Sequence, residues 1–103
     1  MTMTLLDDVK LALRISPGTT AYDGEVQDLI AAAKADLKRA GVDPAKVDAE
    51  DEDLDPLIKR AIVVYCKVEF GWDNPDAERL ARAYEHLVAA LTLSQDYLPP
   101  KEA

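Results

Sequence analysis

The two side chains of highest intrinsic reactivity in this sequence, Cys66 and His86, occur once each. A thiol attacks only as the thiolate, which needs an accessible and electropositive setting. A general base needs an acid or a nucleophile within hydrogen-bond reach. Cys66 sits beside the apolar positions of a helical pattern, with Lys67 as its one neighbouring cation. His86 lies between Arg82 and Glu85 on one side and Ala89 and Ala90 on the other, and no Ser/His/Asp or Cys/His spacing gives it a role. The reading is a buried, inert cysteine, a partly exposed structural histidine and no catalytic residue. One cysteine also excludes an internal disulfide and a cysteine-based zinc site within the chain.

Carboxylates offer a second chemistry. Six of the eight residues from Asp48 to Asp55 are acidic and carry most of the net charge of −8. Asp51, Asp53 and Asp55 repeat the alternation that opens an EF-hand loop, which requires glycine at its sixth position and a bidentate glutamate at its twelfth. Counted from Asp51 those positions hold Pro56 and Ile62, so the motif fails and no metal is expected. The run reads as a solvated loop that also places negative charge at the start of the helix after it. The glycines match no phosphate-binding spacing, so no cofactor is expected. Lysines and arginines are interspersed with acids, and no basic stripe reads as a sequence-specific nucleic-acid surface.

Apolar residues outside helical stripes point to contacts instead. Phe70 and Trp72 flank Gly71 at a corner between two helices, where they either plug the core or anchor a partner. Tyr97, Leu98, Pro99 and Pro100 lead into a short polar tail, and two consecutive prolines forbid helix there. An apolar pair before prolines serves either as a loose end or as an arm that orders on a partner.

Four main helical segments position these residues. Thr4 and Asp7 form a capping-box pair, Leu6, Val9 and Leu13 then share a face, and Ser16-Pro17-Gly18 is the stop signal. The second segment starts between Thr20 and Asp23, carries Val26, Leu29, Ile30, Ala33 and Leu37, and ends at Gly41. Asp43-Pro44 starts a short turn. Asp55-Pro56 caps the third main helix, whose broad face of Leu57, Ile58, Ala61, Ile62, Tyr65 and Val68 marks it as central; Gly71 ends it. Asn74-Pro75 opens the fourth, with Leu80, Tyr84, Leu87, Val88 and Leu91 as its stripe. The expected fold is all-α: a compact bundle of four main helices, a long acidic loop between the second and third, and an extended C-terminal tail. Residues 1–94 form one helical domain and residues 95–103 the tail.

At 103 residues the chain has single-domain length, and 49% hydrophobic residues suffice for a modest core. The acidic balance disfavours non-specific binding to nucleic acid or to an anionic membrane surface. No stretch approaches the length of a membrane span, and two aspartates stand where a signal peptide carries positive charge. The expectation is a soluble protein of a reducing compartment.

Three stretches carry a family resemblance: Leu5 to Ile15, Glu25 to Leu37, and Pro56 to Tyr97, the last being the most telling. The sequence resembles the small head–tail connector (adaptor, head-completion) proteins of long-tailed bacteriophages and prophages. The resemblance implies a structural protein with no enzymatic activity. It implies a ring of about a dozen copies in the virion, at the head–tail junction, assembled in the bacterial host cytoplasm. The ring would sit below the portal protein, extend the channel through which DNA passes, and offer a platform for a stopper or tail protein. Carried onto this sequence, portal contacts fall on the end of the fourth main helix and on Tyr97, Leu98, Pro99 and Pro100. The acidic residues Asp48, Glu50, Asp51, Glu52 and Asp53 become candidates for ring or channel contacts, where negative charge would keep DNA off the wall. A different class also accommodates the charge: a small acidic regulatory binder, antitoxin-like or a DNA mimic, occupying a basic surface.

Overall fold

Helix α1 (Leu5–Ala12) begins where the sequence places it, because the Thr4 hydroxyl accepts from the Asp7 amide and the Asp7 carboxylate accepts from the Thr4 amide. In the computed structural model, which describes residues 4–70 and 74–99, the remaining elements are α2 (Asp23–Ala40), α3 (Pro44–Val47), a 3-10 turn (Asp51–Asp53), α4 (Pro56–Glu69), α5 (Ala77–Thr92) and a second 3-10 turn (Gln95–Tyr97). The expected all-α bundle is observed. Its third and fourth main helices are α4 and α5, since Asp43-Pro44 launches a helical turn of its own.

Helix α1 stops before Ser16-Pro17-Gly18. Arg14 takes a left-handed conformation with φ 66°, its amide donates to the Leu11 carbonyl, and the Ile15 amide donates to the Lys10 carbonyl at 2.8 Å. This is the Schellman closure, with arginine where glycine is usual. Ile15, buried at the edge of the core, holds it shut. Helix α2 ends in the same closure at Gly41, φ 113°, with Val42 fully buried beyond it. Asp55 caps α4 by accepting from the Leu57 amide at 2.8 Å. Helix α5 begins two residues later than Asn74-Pro75 suggests, because the Asn74 side chain caps the preceding turn, accepting from the Asp76 amide and donating to the Lys67 carbonyl.

The four long helices alternate in direction. Lys10 near the end of α1 meets Asp23 at the start of α2, and Asn74 before α5 meets Lys67 late in α4. At the opposite end Asp51 meets the start of α1, and Tyr97 after α5 meets Asp55 at the start of α4. Helix α4 packs most extensively on α5 and then on α2. Val26, Ala33 and Leu37 of α2 meet Ile58, Ala61, Ile62 and Cys66 of α4 in a dry core that Val9 and Leu91 close. The central role expected of this helix is what the burial pattern gives. Helix α5 differs: of its stripe only Leu91 is buried, while Tyr84, Leu87 and Val88 stay half-covered.

The tail does not become extended at residue 95. Residues 95–97 turn back on the bundle, the Asp43 amide donates to the Tyr97 carbonyl at 2.8 Å, and only from Leu98 is the backbone extended. A proline forces extended backbone on the one residue before it, here Leu98, but has no hold on residues 95–97.

Candidate interaction surfaces

The end of the bundle where α2 and α5 finish is dense in carboxylates. Asp51 Oδ2 accepts from the Leu5 amide at 3.1 Å, so a residue from the acidic run caps α1 from 46 positions away. Asp43 caps α3, and Asp48 pairs with Lys38 at 2.9 Å. Asp55 serves both the α4 amides and the Tyr97 hydroxyl, which donates to its two oxygens at 3.1 and 3.0 Å. Burial and this hydrogen bond together raise the Tyr97 phenol above its ordinary value. Glu50, Glu52 and Asp53 are exposed and have no ion-pair partner among the described residues. Glu52 and Asp53 border an open hollow of about 620 Å³, between Asp43 and Pro56. The run is therefore not a uniformly solvated loop: part of it closes helix ends and part faces outward.

At the other end, Lys10 is 1% exposed, the one buried charge among the described residues. Its ammonium donates to the Pro17 carbonyl at 3.0 Å and meets Asp23 Oδ1 at 2.7 Å. Phe70 is half-buried, packs on the core, and meets Tyr22 edge-on with ring centroids 5.8 Å apart. Beside it lies a hollow of about 270 Å³ lined by Arg14, Lys67 and Arg79, with Asp76 as its one acid among the described residues and Leu13, Phe70 and Leu80 as apolar lining.

Between the ends, α2, α4 and α5 flank a groove of about 460 Å³. The Tyr84 hydroxyl donates to Asp36 Oδ2 at 2.6 Å across it, and Arg39 holds Asp36 Oδ1 at 2.6 Å. The tyrosine hydrogen bond, followed by that of the guanidinium, lowers the Asp36 carboxyl below its ordinary value. Burial first, then the same hydrogen bond, raises the Tyr84 phenol.

A model of the phage connector proteins matches residues 5–98. The chain belongs to this family. The match spans every helix described above, so the connector fold is the whole bundle and extends through the Tyr97 turn. No curated protein and no solved structure matches the chain. Membership gives the connector a structural role in the phage particle, and the family is not an enzyme family.

Among the candidate contact residues of the connector, Phe70 and Tyr97 are held by their own chain, Leu98 is half-buried and Pro99 is exposed. Trp72 and Pro100 lie outside the described residues. Cys66 is fully buried, and burial pushes its thiol up to about 12, the state of an unreactive thiol. His86 is exposed on α5. No cluster of His, Cys, Asp or Glu among the described residues could hold a metal ion, and no described helix is long and apolar enough to cross a membrane. Sequence reasoning missed the convergence of Arg14, Lys67 and Arg79, which are far apart in the chain. Their one local signal is that each ends or begins a helix.

Proposed function

We propose that the connector is a ring subunit at the head–tail junction, seated below the portal, where it lengthens the DNA channel and presents a platform to a stopper or tail protein. The observation that carries this reading is the family match across the whole folded unit, residues 5–98. The half-covered stripe of α5 supports it, since a subunit of an assembly keeps apolar surface for its neighbours. A ring repeats one heterologous contact, so each subunit must carry two different complementary surfaces. The DNA-mimic alternative would need a rigid array of outward carboxylates. Asp43, Asp51 and Asp55 instead bind backbone amides of their own chain, which takes these carboxylates away from such an array and argues against the mimic.

Affinity capture of tagged connector from phage-producing cells, with mass spectrometry of what is recovered, tests the reading. Recovery of portal and head-completion proteins is the expected result. Recovery of a toxin or a nucleic-acid enzyme without head proteins would replace the connector role with that of an acidic binder.

A further inference from the structure

The outward acids and the convergent cations sit at opposite ends of α4, whose 14 residues span about 20 Å. They cannot meet within one chain. Glu50, Glu52 and Asp53 have no ion-pair partner among the described residues, and the same holds for Arg14 and Lys67. Arg79 has only a loose contact with Asp76 at 3.6 Å, with both side chains mostly exposed.

We infer that Glu50, Glu52 and Asp53 of one copy of this chain dock into the hollow formed by Arg14, Lys67 and Arg79 of the next. This rests on the ring reading and names its repeating contact. Both surfaces are built on fixed backbone. The 3-10 turn is pinned to α1 by Asp51 on the Leu5 amide and closed internally by the Asp53 amide on the Glu50 carbonyl. The Schellman closure fixes Arg14, and Lys67 lies in the last turn of α4. Prearranged surfaces lose little conformational freedom on docking. A hollow of about 270 Å³, lined by Leu13, Phe70 and Leu80 besides its cations, has room for short carboxylate side chains on a turn. A chain of net charge −8 also repels DNA at long range. On this reading the acidic run makes the subunit contact, the first of the two roles open to it. The two surfaces are not identical, so the contact is head-to-tail and propagates, as a ring requires.

The test uses charge exchange. R14E/K67E and E52K/D53K alter exposed or half-exposed positions, and circular dichroism checks that both variants fold. In sedimentation velocity at low salt and millimolar protein, each variant alone should associate at least about tenfold more weakly than wild type, and added salt should weaken the wild type too. Mixed together the two variants should recover association, because each reversed end meets a reversed partner. Carbodiimide treatment of mixed isotopically light and heavy wild-type chain should join Lys67 of one copy to Glu50, Glu52 or Asp53 of another, with the Lys38–Asp48 pair at 2.9 Å as internal control. Absence of that cross-link when the control forms, or failure of the mixture to recover, overturns the contact. The same cross-linking on rings recovered with the portal separates the two levels. Rings joined only through other residues overturn this contact and leave the ring reading standing, whereas capture of the portal with a single connector copy overturns both. Retention of short duplex DNA by wild type that R14E/K67E abolishes would reassign the hollow to DNA.

Discussion

At the end of the bundle where α2 and α5 finish, carboxylates hold backbone: Asp43, Asp51 and Asp55 each accept from amides that a helix start leaves without partners. At the end where α1 and α4 finish, a buried cation does the holding, with Lys10 tying the Pro17 carbonyl and Asp23 together across the α1–α2 connection. The first arrangement spreads its load over several exposed or half-exposed groups. The second concentrates it in one ammonium that is 1% exposed. Distributed capping tolerates single losses, whereas a single buried charge does not, because its removal strands the partner away from water.

The largest effect is therefore expected at Lys10. Lys10→Ala removes both the ammonium and the buried stem and should cost about 3 kcal/mol, at the low end for a broken buried pair because the Asp23 side chain keeps 30% exposure. Lys10→Met retains the stem and should recover part of the loss. Urea denaturation of both variants measures the difference, and equal losses would mean that packing alone matters at that end. Asp55→Ala comes next, at about 1–2 kcal/mol, since it removes the α4 cap and frees the Tyr97 hydroxyl. A loss at Asp55 as large as that at Lys10 would erase the contrast between the ends.

Arg14→Gly has the opposite sign. A left-handed arginine is strained where glycine is not, so the variant should gain about 0.5–1 kcal/mol, after allowing for the greater freedom of glycine in the unfolded chain. The same variant removes a cation from the hollow, so its self-association should fall as its melting temperature rises. Both falling together would indicate that the arginine also supports its own fold.

Tyr97→Phe probes the acidic end by pH. The folded phenol is raised above the ordinary tyrosine value, so its stabilisation is complete below about pH 10 and is lost as pH rises through the folded value. Thermal melts of wild type and Tyr97→Phe should differ at pH 8 and converge at strongly alkaline pH. A constant difference would show that the hydroxyl is not the group that matters.

Helix identity and the core were legible because their signals are local. The Thr4 box, Gly41, Asp55-Pro56 and most of the stripes of α2 and α4 act within a few residues and appear where expected; the exception is Leu57, which the first turn of α4 leaves exposed while Val64 and Cys66 are buried instead. The end of α1 was hidden because arginine supplies no glycine signal, and the closure depends on burying Ile15. Family kinship was visible in the phrasing of residues 56–97. The division of labour within the acidic run was not, because Asp51 meets the Leu5 amide only after the chain has folded. Convergence of Arg14, Lys67 and Arg79 likewise depends on three helix ends meeting at one corner.

The smallest expected effect is the sharpest on the acidic run itself. Asp51, Glu52 and Asp53 are consecutive, exposed and of one charge, and a purely solvated loop would make them interchangeable. The structure makes them unequal, since Asp51 binds an amide at the start of α1 while the Glu52 and Asp53 side chains have no such bond among the described residues. Glu52→Ser and Asp53→Ser should each change stability by less than about 0.5 kcal/mol, as surface substitutions do. Either would relieve a little like-charge repulsion within the run. Asp51→Ala should cost about 1 kcal/mol, the value of a side-chain bond to a helix-start amide, although Thr4 continues to serve the Asp7 amide. Chemical denaturation of the three variants at one ionic strength resolves the order. Three equal small changes would return the run to a uniform solvated loop and detach the start of α1 from it. A loss confined to Asp51 leaves Glu52 and Asp53 available for contact with another molecule, because the fold does not depend on them.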